Sequence, residues 1–169
     1  MKNFIRKHNN RTLTQNAKRK NKTNNETRKE NCRRPDECPM TGKCLTKNLV
    51  YQAEVTTNDN NETKKYIGIT ANEFKQRYRN HSKSFRDVKY SNETELTKYI
   101  WKLKTDNRAF NIQWSIVKRV APYTAGSRRC NLCIEEKLLI MKAKNKHFLN
   151  RRSEFFSKCR HVTKHRLNQ

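Results

Sequence analysis

The chain is short of acidic residues, glycine and long apolar runs, and each shortage excludes something. No apolar stretch approaches the roughly 20 residues needed to cross a bilayer. The N-terminal MKNFIRKHNNR has no apolar core of the kind a secretory leader requires. Together these point to an intracellular protein whose thiols stay reduced, so that its six cysteines read as metal ligands before disulfides. No helix with a clean apolar face supports binding to a membrane surface. Internal repeats are absent. Only three glycines occur in 169 residues, so any glycine inside a regular element needs a reason.

Fifteen Asp and Glu face forty Lys and Arg, which leaves a formal charge of +25. Such a surplus destabilises a compact state by self-repulsion unless a polyanion accepts it. Nucleic acid is the natural acceptor, because each neutralised phosphate releases counterions. Charge alone fits a ribosomal or nucleocapsid-type binder as well as an enzyme, and says nothing about catalysis.

Residues 1–31 carry Lys, Arg, Asn and Thr with hardly any large apolar side chain after Leu13. They cannot bury enough surface to offset ordering entropy, so they are expected to form a disordered or partly helical basic arm. Residues 32–47 hold Cys32, Cys38 and Cys44, spaced by regular intervals and broken by Pro35, Pro39 and Gly42, the pattern of a zinc knuckle. The texture changes at residue 48. LVYQAEVT (49–56) alternates Tyr51, Ala53 and Val55 against polar neighbours and predicts a strand with one apolar face. TNDNNET (57–63) is turn chemistry, and KYIGIT (65–70) completes a hairpin. Residues 71–86 place Phe74, Tyr78 and Phe85 near helical spacing. Residues 93–106 form a firmer helix, with Leu96, Tyr99, Ile100 and Leu103 on one face. Ile112, Trp114 and Ile116 alternate in a third strand (110–120), and residues 130–143 make a third helix. The expected fold is a small α+β domain: a three-stranded antiparallel sheet flanked by helices in the order β-β-α-α-β-α, stapled by zinc. Its core covers 48–152, and a basic C-terminal tail with zinc ligands covers 153–169.

Gly68 interrupts an otherwise good strand in Tyr66-Ile67-Gly68, which marks a place where a bound group or another backbone approaches closely. Arg77 and His81 follow on one face of the next helix. A tyrosine in a first strand (Leu49-Val50-Tyr51), a hairpin, Tyr-Ile-Gly, and a helix carrying Arg-x-x-x-His together resemble the GIY-YIG nuclease family. So do a later helical glutamate and, after it, Asn150. The departure is at Leu49, where the family normally has glycine. The resemblance implies phosphodiester hydrolysis with a divalent cation, Mg²⁺ or Mn²⁺, held by one carboxylate on the third helix. Glu136 is favoured, because its spacing from Cys133 and Leu139 turns it inward while Glu135 faces solvent; the adjacent register stays open. Arg77 would neutralise charge in the pentavalent transition state. Tyr66 would activate water with Tyr51 hydrogen-bonded beside it, or the two roles are exchanged. Asn150 would orient phosphate or the metal shell. His81 either joins the tyrosine network or is a satisfied helix-surface histidine.

Cys130-x-x-Cys133 at a helix start is a strong half-site for a tetrahedral metal. Cys159 and His161 would complete a structural Zn²⁺ site, with His165 as a substitute. Cys32, Cys38 and Cys44 form a second candidate, lacking an obvious fourth ligand unless Glu30 or a distant histidine supplies it. In a different pairing, Cys38 and Cys44 join Cys130 and Cys133 in one all-Cys site. The run Cys38-Pro-Met-Thr-Gly-Lys-Cys44-Leu-Thr, leading directly into the first strand, is similar to the nuclease domain of Penelope-like retroelement proteins. So are Arg129-Cys130-Asn-Leu-Cys133 and Arg152-Ser-Glu, and the likeness covers roughly residues 30–165. It implies an enzyme that nicks target DNA in the nucleus to give a 3′-hydroxyl for a reverse transcriptase to extend on its RNA template. No reverse transcriptase signature lies within the 169 residues, so the expectation is a fragment, a degraded copy or a host-adopted remnant. A stand-alone structure-selective repair nuclease and a non-catalytic zinc-dependent nucleic-acid binder are the rival classes.

Overall fold

The computed structural model describes residues 32, 35–59, 62–122, 130–143, 147–151 and 159. The basic arm, His161, His165 and Glu30 lie outside the described residues, as does the C-terminal tail apart from Cys159. The elements run β1 (Leu49–Thr57), β2 (Thr63–Thr70), α1 (Phe74–Ser84), a 3-10 turn (Val88–Tyr90), α2 (Glu95–Thr105), β3 (Phe110–Arg119) and α3 (Asn131–Lys142). The architecture is therefore α+β, with one antiparallel sheet of order β2-β1-β3. Among the described residues no helix is long and apolar enough to cross a membrane.

Being central, β1 is covered on both sides. Leu49, Tyr51, Ala53 and Val55 are fully buried in one cluster with Tyr66, Phe74, Leu96, Ile100, Leu103 and Trp114. Val50 is equally buried in a second cluster with Ile67, Cys130, Leu132 and Ile140. Sequence alternation predicts the first face; α3 supplies the cover for the second. The β1–β3 register shifts between Val50 and Tyr51. The knuckle is part of the domain, because Met40 and Cys44 are buried in the larger cluster.

The helices begin where their first N–H groups find partners. For α1 these are knuckle carbonyls: Phe74 N donates to Thr46 O at 3.0 Å and Lys75 N to Cys44 O at 2.7 Å. This start falls three residues later than the periodicity suggests. Thr94 caps α2 by accepting from Thr97 N at 3.1 Å. Three hydroxyls then tie α1 to α2 inside the core: Ser84 Oγ lies 3.1 Å from Thr97 Oγ1, which lies 2.8 Å from Thr94 Oγ1. Trp101 Nε1 adds a bond of 2.8 Å to Ser84 O. The two helices are thereby held to one another.

Candidate active site

Tyr51 and Gly68 are opposite one another in the β1–β2 ladder. The Tyr51 ring leans across the pair, and its hydroxyl and Cζ occupy the space a Cβ on residue 68 would fill. The close approach that the strand glycine signals is made by this side chain. Phe74, His81 and Trp114 wall the ring in, with centroids 5.2, 5.9 and 5.9 Å from it.

Two residues one helical turn apart on α1 meet the Tyr51 hydroxyl. Arg77 Nε donates to it at 3.0 Å, and His81 Nε2 lies 2.7 Å away. Arg77 can only donate, so the phenol oxygen accepts there, while the donor between the phenol and His81 is set by the imidazole tautomer. His81 is 2 % exposed. Burial first, and the Arg77 charge second, push its pKa down to about 3, so it is neutral across physiological pH. Of its two sequence readings, the structure places it in the tyrosine network and not on the helix surface. Burial also pushes the Tyr51 phenol above its ordinary value, against the lowering effect of Arg77 and with a further upward push from Glu136. Tyr51 therefore stays protonated and acts as a fixed acceptor for Arg77.

Tyr66 sits on the same face, 6 % exposed, with its ring 6.2 Å from His81. It too hydrogen-bonds Arg77. Burial opposes the guanidinium charge, yet the two tyrosines hold the Arg77 pKa above its ordinary value. Among the described residues Arg77's partners are these phenols and no carboxylate. A partly buried, permanent cation whose partners are phenols is chemically able to accept an anion, because buried charges generally find a counter-charge.

The two α3 carboxylates separate. Glu135 is not simply solvated: it forms an ion pair of 2.7 Å with Lys118 on β3. Glu136 is half-buried, and its charge reaches Tyr51. One carboxylate suits a hard cation only if water and phosphate oxygens complete the shell, which is how Mg²⁺ is commonly held. Asn150 does something the sequence did not disclose. Its Oδ1 accepts from Ile67 N at 2.7 Å and its Nδ2 donates to Ile67 O at 2.9 Å. With Lys65 N to His147 O at 2.7 Å and Leu149 N to Lys65 O at 2.8 Å, residues 147–150 line the outer edge of β2. The amide thus holds the backbone between Tyr66 and Gly68. An asparagine placed to close a strand edge carries no sequence signal apart from its position after a helix.

The cysteines form two triads, Cys32-Cys38-Cys44 and Cys130-Cys133-Cys159, each with sulfurs within 4.8 Å of one another. None is in a disulfide. Such spacing fits thiolates about 2.3 Å from one tetrahedral Zn²⁺. The triads belong to different clusters on opposite faces of the sheet, which overturns the pairing of Cys38 and Cys44 with Cys130 and Cys133. In the first triad, Thr41 and Gly42 take positive φ (46° and 86°). Burial would raise the Cys38 thiol, but the N–H groups of Met40 and Gly42 point at its sulfur and hold it below its ordinary value. Cys44 is pushed up to about 12 by burial and by Cys32 and Cys38. Cys133 is raised in the same way by burial and its neighbours Cys159 and Cys130. Thiols crowded like this ionise together only around a cation.

Comparison with protein-family models, with curated proteins and with solved structures finds no match to the chain.

Proposed function

We propose that this chain is a metal-dependent DNA endonuclease of the GIY-YIG type, stapled by structural zinc and acting in the nucleus on target DNA for a Penelope-like retroelement. The observation that carries the reading is Arg77: a cation held between two tyrosines with no carboxylate partner among the described residues, in a strongly basic protein. A non-catalytic zinc-dependent binder would use the same cysteines and charge, but it gives no reason to enclose one arginine with two phenols.

In this reading Tyr51 and His81 fix the guanidinium, leaving the remaining N–H donors of Arg77 to fork onto phosphate oxygens as charge builds in the transition state. Tyr66, as the phenolate left after its proton passes to solvent, takes a proton from the water that attacks phosphorus, the bond to the 3′ oxygen breaks, and the departing oxygen is protonated from solvent. Mg²⁺ or Mn²⁺ held by Glu136 and the substrate phosphate would supply Lewis-acid stabilisation of the leaving oxygen. Asn150 acts on this site by holding the β2 backbone beside Tyr66. The product 3′-hydroxyl would serve a reverse transcriptase domain acting on its RNA template.

Relaxation of supercoiled plasmid by zinc-loaded protein with Mg²⁺ or Mn²⁺ tests the proposal. Wild type is expected to nick, and Arg77→Ala and Glu136→Ala to lose the activity by orders of magnitude, with Glu135→Ala close to wild type. Plasmid left supercoiled across metals and branched substrates would favour the binder, and a dead Glu135→Ala beside an active Glu136→Ala would move the metal to the other carboxylate.

A further inference from the structure

Helix α1 has a buried side, which carries the candidate site, and an exposed one. Phe74, Arg77, Tyr78 and His81 face the sheet, while Lys75, Arg79 and Lys83 are all exposed. At 3.6 residues per turn, positions four apart drift by roughly 40°, so the three cations share an arc of roughly 80° directly opposite the buried side. They form a ridge about 12 Å long at 1.5 Å per residue, and Arg86 is exposed just beyond its end.

The ridge stands out because of where the acids are. Several described carboxylates are matched to cations elsewhere: Glu54 with Lys65, Asp59 with Arg108, Glu62 with Lys64, Glu73 with Lys47, Glu95 with Lys98 and Arg151, Glu135 with Lys118. Among the described residues no ion pair includes Lys75, Arg79 or Arg86, and α1 itself contains no acidic residue. Lys83 lies 4.3 Å over the Tyr90 ring and feels the carboxylates of Asp87 and Glu93, though it forms no ion pair with either. Like charges four apart on a helix destabilise it. This helix tolerates two such pairs in a row, Lys75–Arg79 and Arg79–Lys83.

We infer that the outward ridge Lys75-Arg79-Lys83 is a tracking surface for the phosphate backbone of duplex DNA, separate from the Arg77 site on the other side of the same helix. The identity of the polyanion rests on the proposed nuclease reading. A 12 Å ridge spans about three to four phosphates of one strand at 3.4 Å of axis each, so it suits a regular backbone more than a single anion. Since ridge and site face opposite ways, the ridge holds duplex flanking the scissile phosphate. It contributes affinity without reading sequence and without taking part in the chemistry.

Fluorescence anisotropy of the full chain on a labelled duplex across a salt series tests this. Lys75→Gln, Arg79→Gln and Lys83→Gln combined should make the plot of log affinity against log salt shallower by about 2.7, three times the roughly 0.9 per neutralised phosphate contact. A melting temperature equal to wild type checks the fold, and Arg79→Glu alone should weaken binding in the same direction. Lys102→Gln, Arg119→Gln and Lys142→Gln combined remove equal charge from exposed positions off the ridge and should change the slope far less. An unchanged slope in the ridge variant, an equal loss in the off-ridge control, or a loss seen on single-stranded RNA but not on duplex would each overturn the inference. If no protein cleaves DNA yet the ridge variant alone loses its slope, the nuclease reading fails and the ridge stands. Cleavage at saturating DNA that survives the ridge substitutions but not Arg77→Ala separates the two sides of the helix.

Discussion

Gly68→Ala is the sharpest probe of how the site is built. In an ordinary strand interior this change stabilises, because glycine costs roughly 0.5–1 kcal/mol relative to alanine. Here the new methyl would enter the space of the Tyr51 hydroxyl and Cζ. The ring cannot swing away freely, since Tyr51 is fully buried and packed against Phe74 and Trp114. Moving it would break the bonds to Arg77 Nε and His81 Nε2. Overpacking costs about 1–3 kcal/mol, and losing a hydrogen bond to a charged group about 1.5–3 kcal/mol. With the strand gain subtracted, the expected loss is about 1.5–5.5 kcal/mol, read as a drop of roughly 10 °C in Tm for a chain of this size. Urea melts of wild type, Gly68→Ala, Tyr51→Phe and the double variant give the coupling. The double should cost less than the sum by about 1 kcal/mol or more, because the hydroxyl's bonds can be lost only once. A neutral or stabilising Gly68→Ala, or strict additivity, would refute the account of Tyr51 lying over Gly68.

His81 gives a pH prediction whose sign follows from its depressed pKa. The native imidazole titrates at about 3 and the unfolded one near 6.5, so its stabilising contribution is complete above about pH 6.5 and declines as pH falls toward 3. The slope is up to about 1.4 kcal/mol per pH unit. His81→Gln should flatten urea stability over that window, and superposable pH profiles would refute the assignment. For the metals, Cys44→Ser and Cys130→Ser should each remove one zinc per chain and leave the other, because the triads are separate. Chelation should lower Tm, and zinc retention should weaken with acid, since a Cys44 thiol pushed up to about 12 must release its proton on binding. Full zinc content in either variant, by metal analysis, would refute the two-triad reading.

Much of the fold was legible because it is written in local periods. Tyr51, Ala53 and Val55 alternate as a half-buried strand must, Leu96, Ile100 and Leu103 repeat as a helix face must, and the structure buries all six. The turn-rich segment between β1 and β2 gave the hairpin, and Cys130-x-x-Cys133 gave a metal half-site, because both are set by neighbours in sequence. What stayed hidden depends on partners far along the chain. That Val50 is buried follows from α3, some eighty residues later, covering the second face of β1. Gly68 could be flagged as needing a close neighbour, but no local rule says that the neighbour is Tyr51 across the ladder. Helix geometry alone turns Glu135 to solvent, whereas Lys118 on β3 claims it; helix phase says which way a side chain points, not what waits there. Asn150 shows the limit most plainly. Its bonds to both polar groups of Ile67 span 83 residues, and they exist because β2 is an edge strand with open backbone groups. Knowing that requires the strand order, which no single segment contains. The site combines both kinds of information: helical period aligns Arg77 with His81, and the fold sets them against two tyrosines.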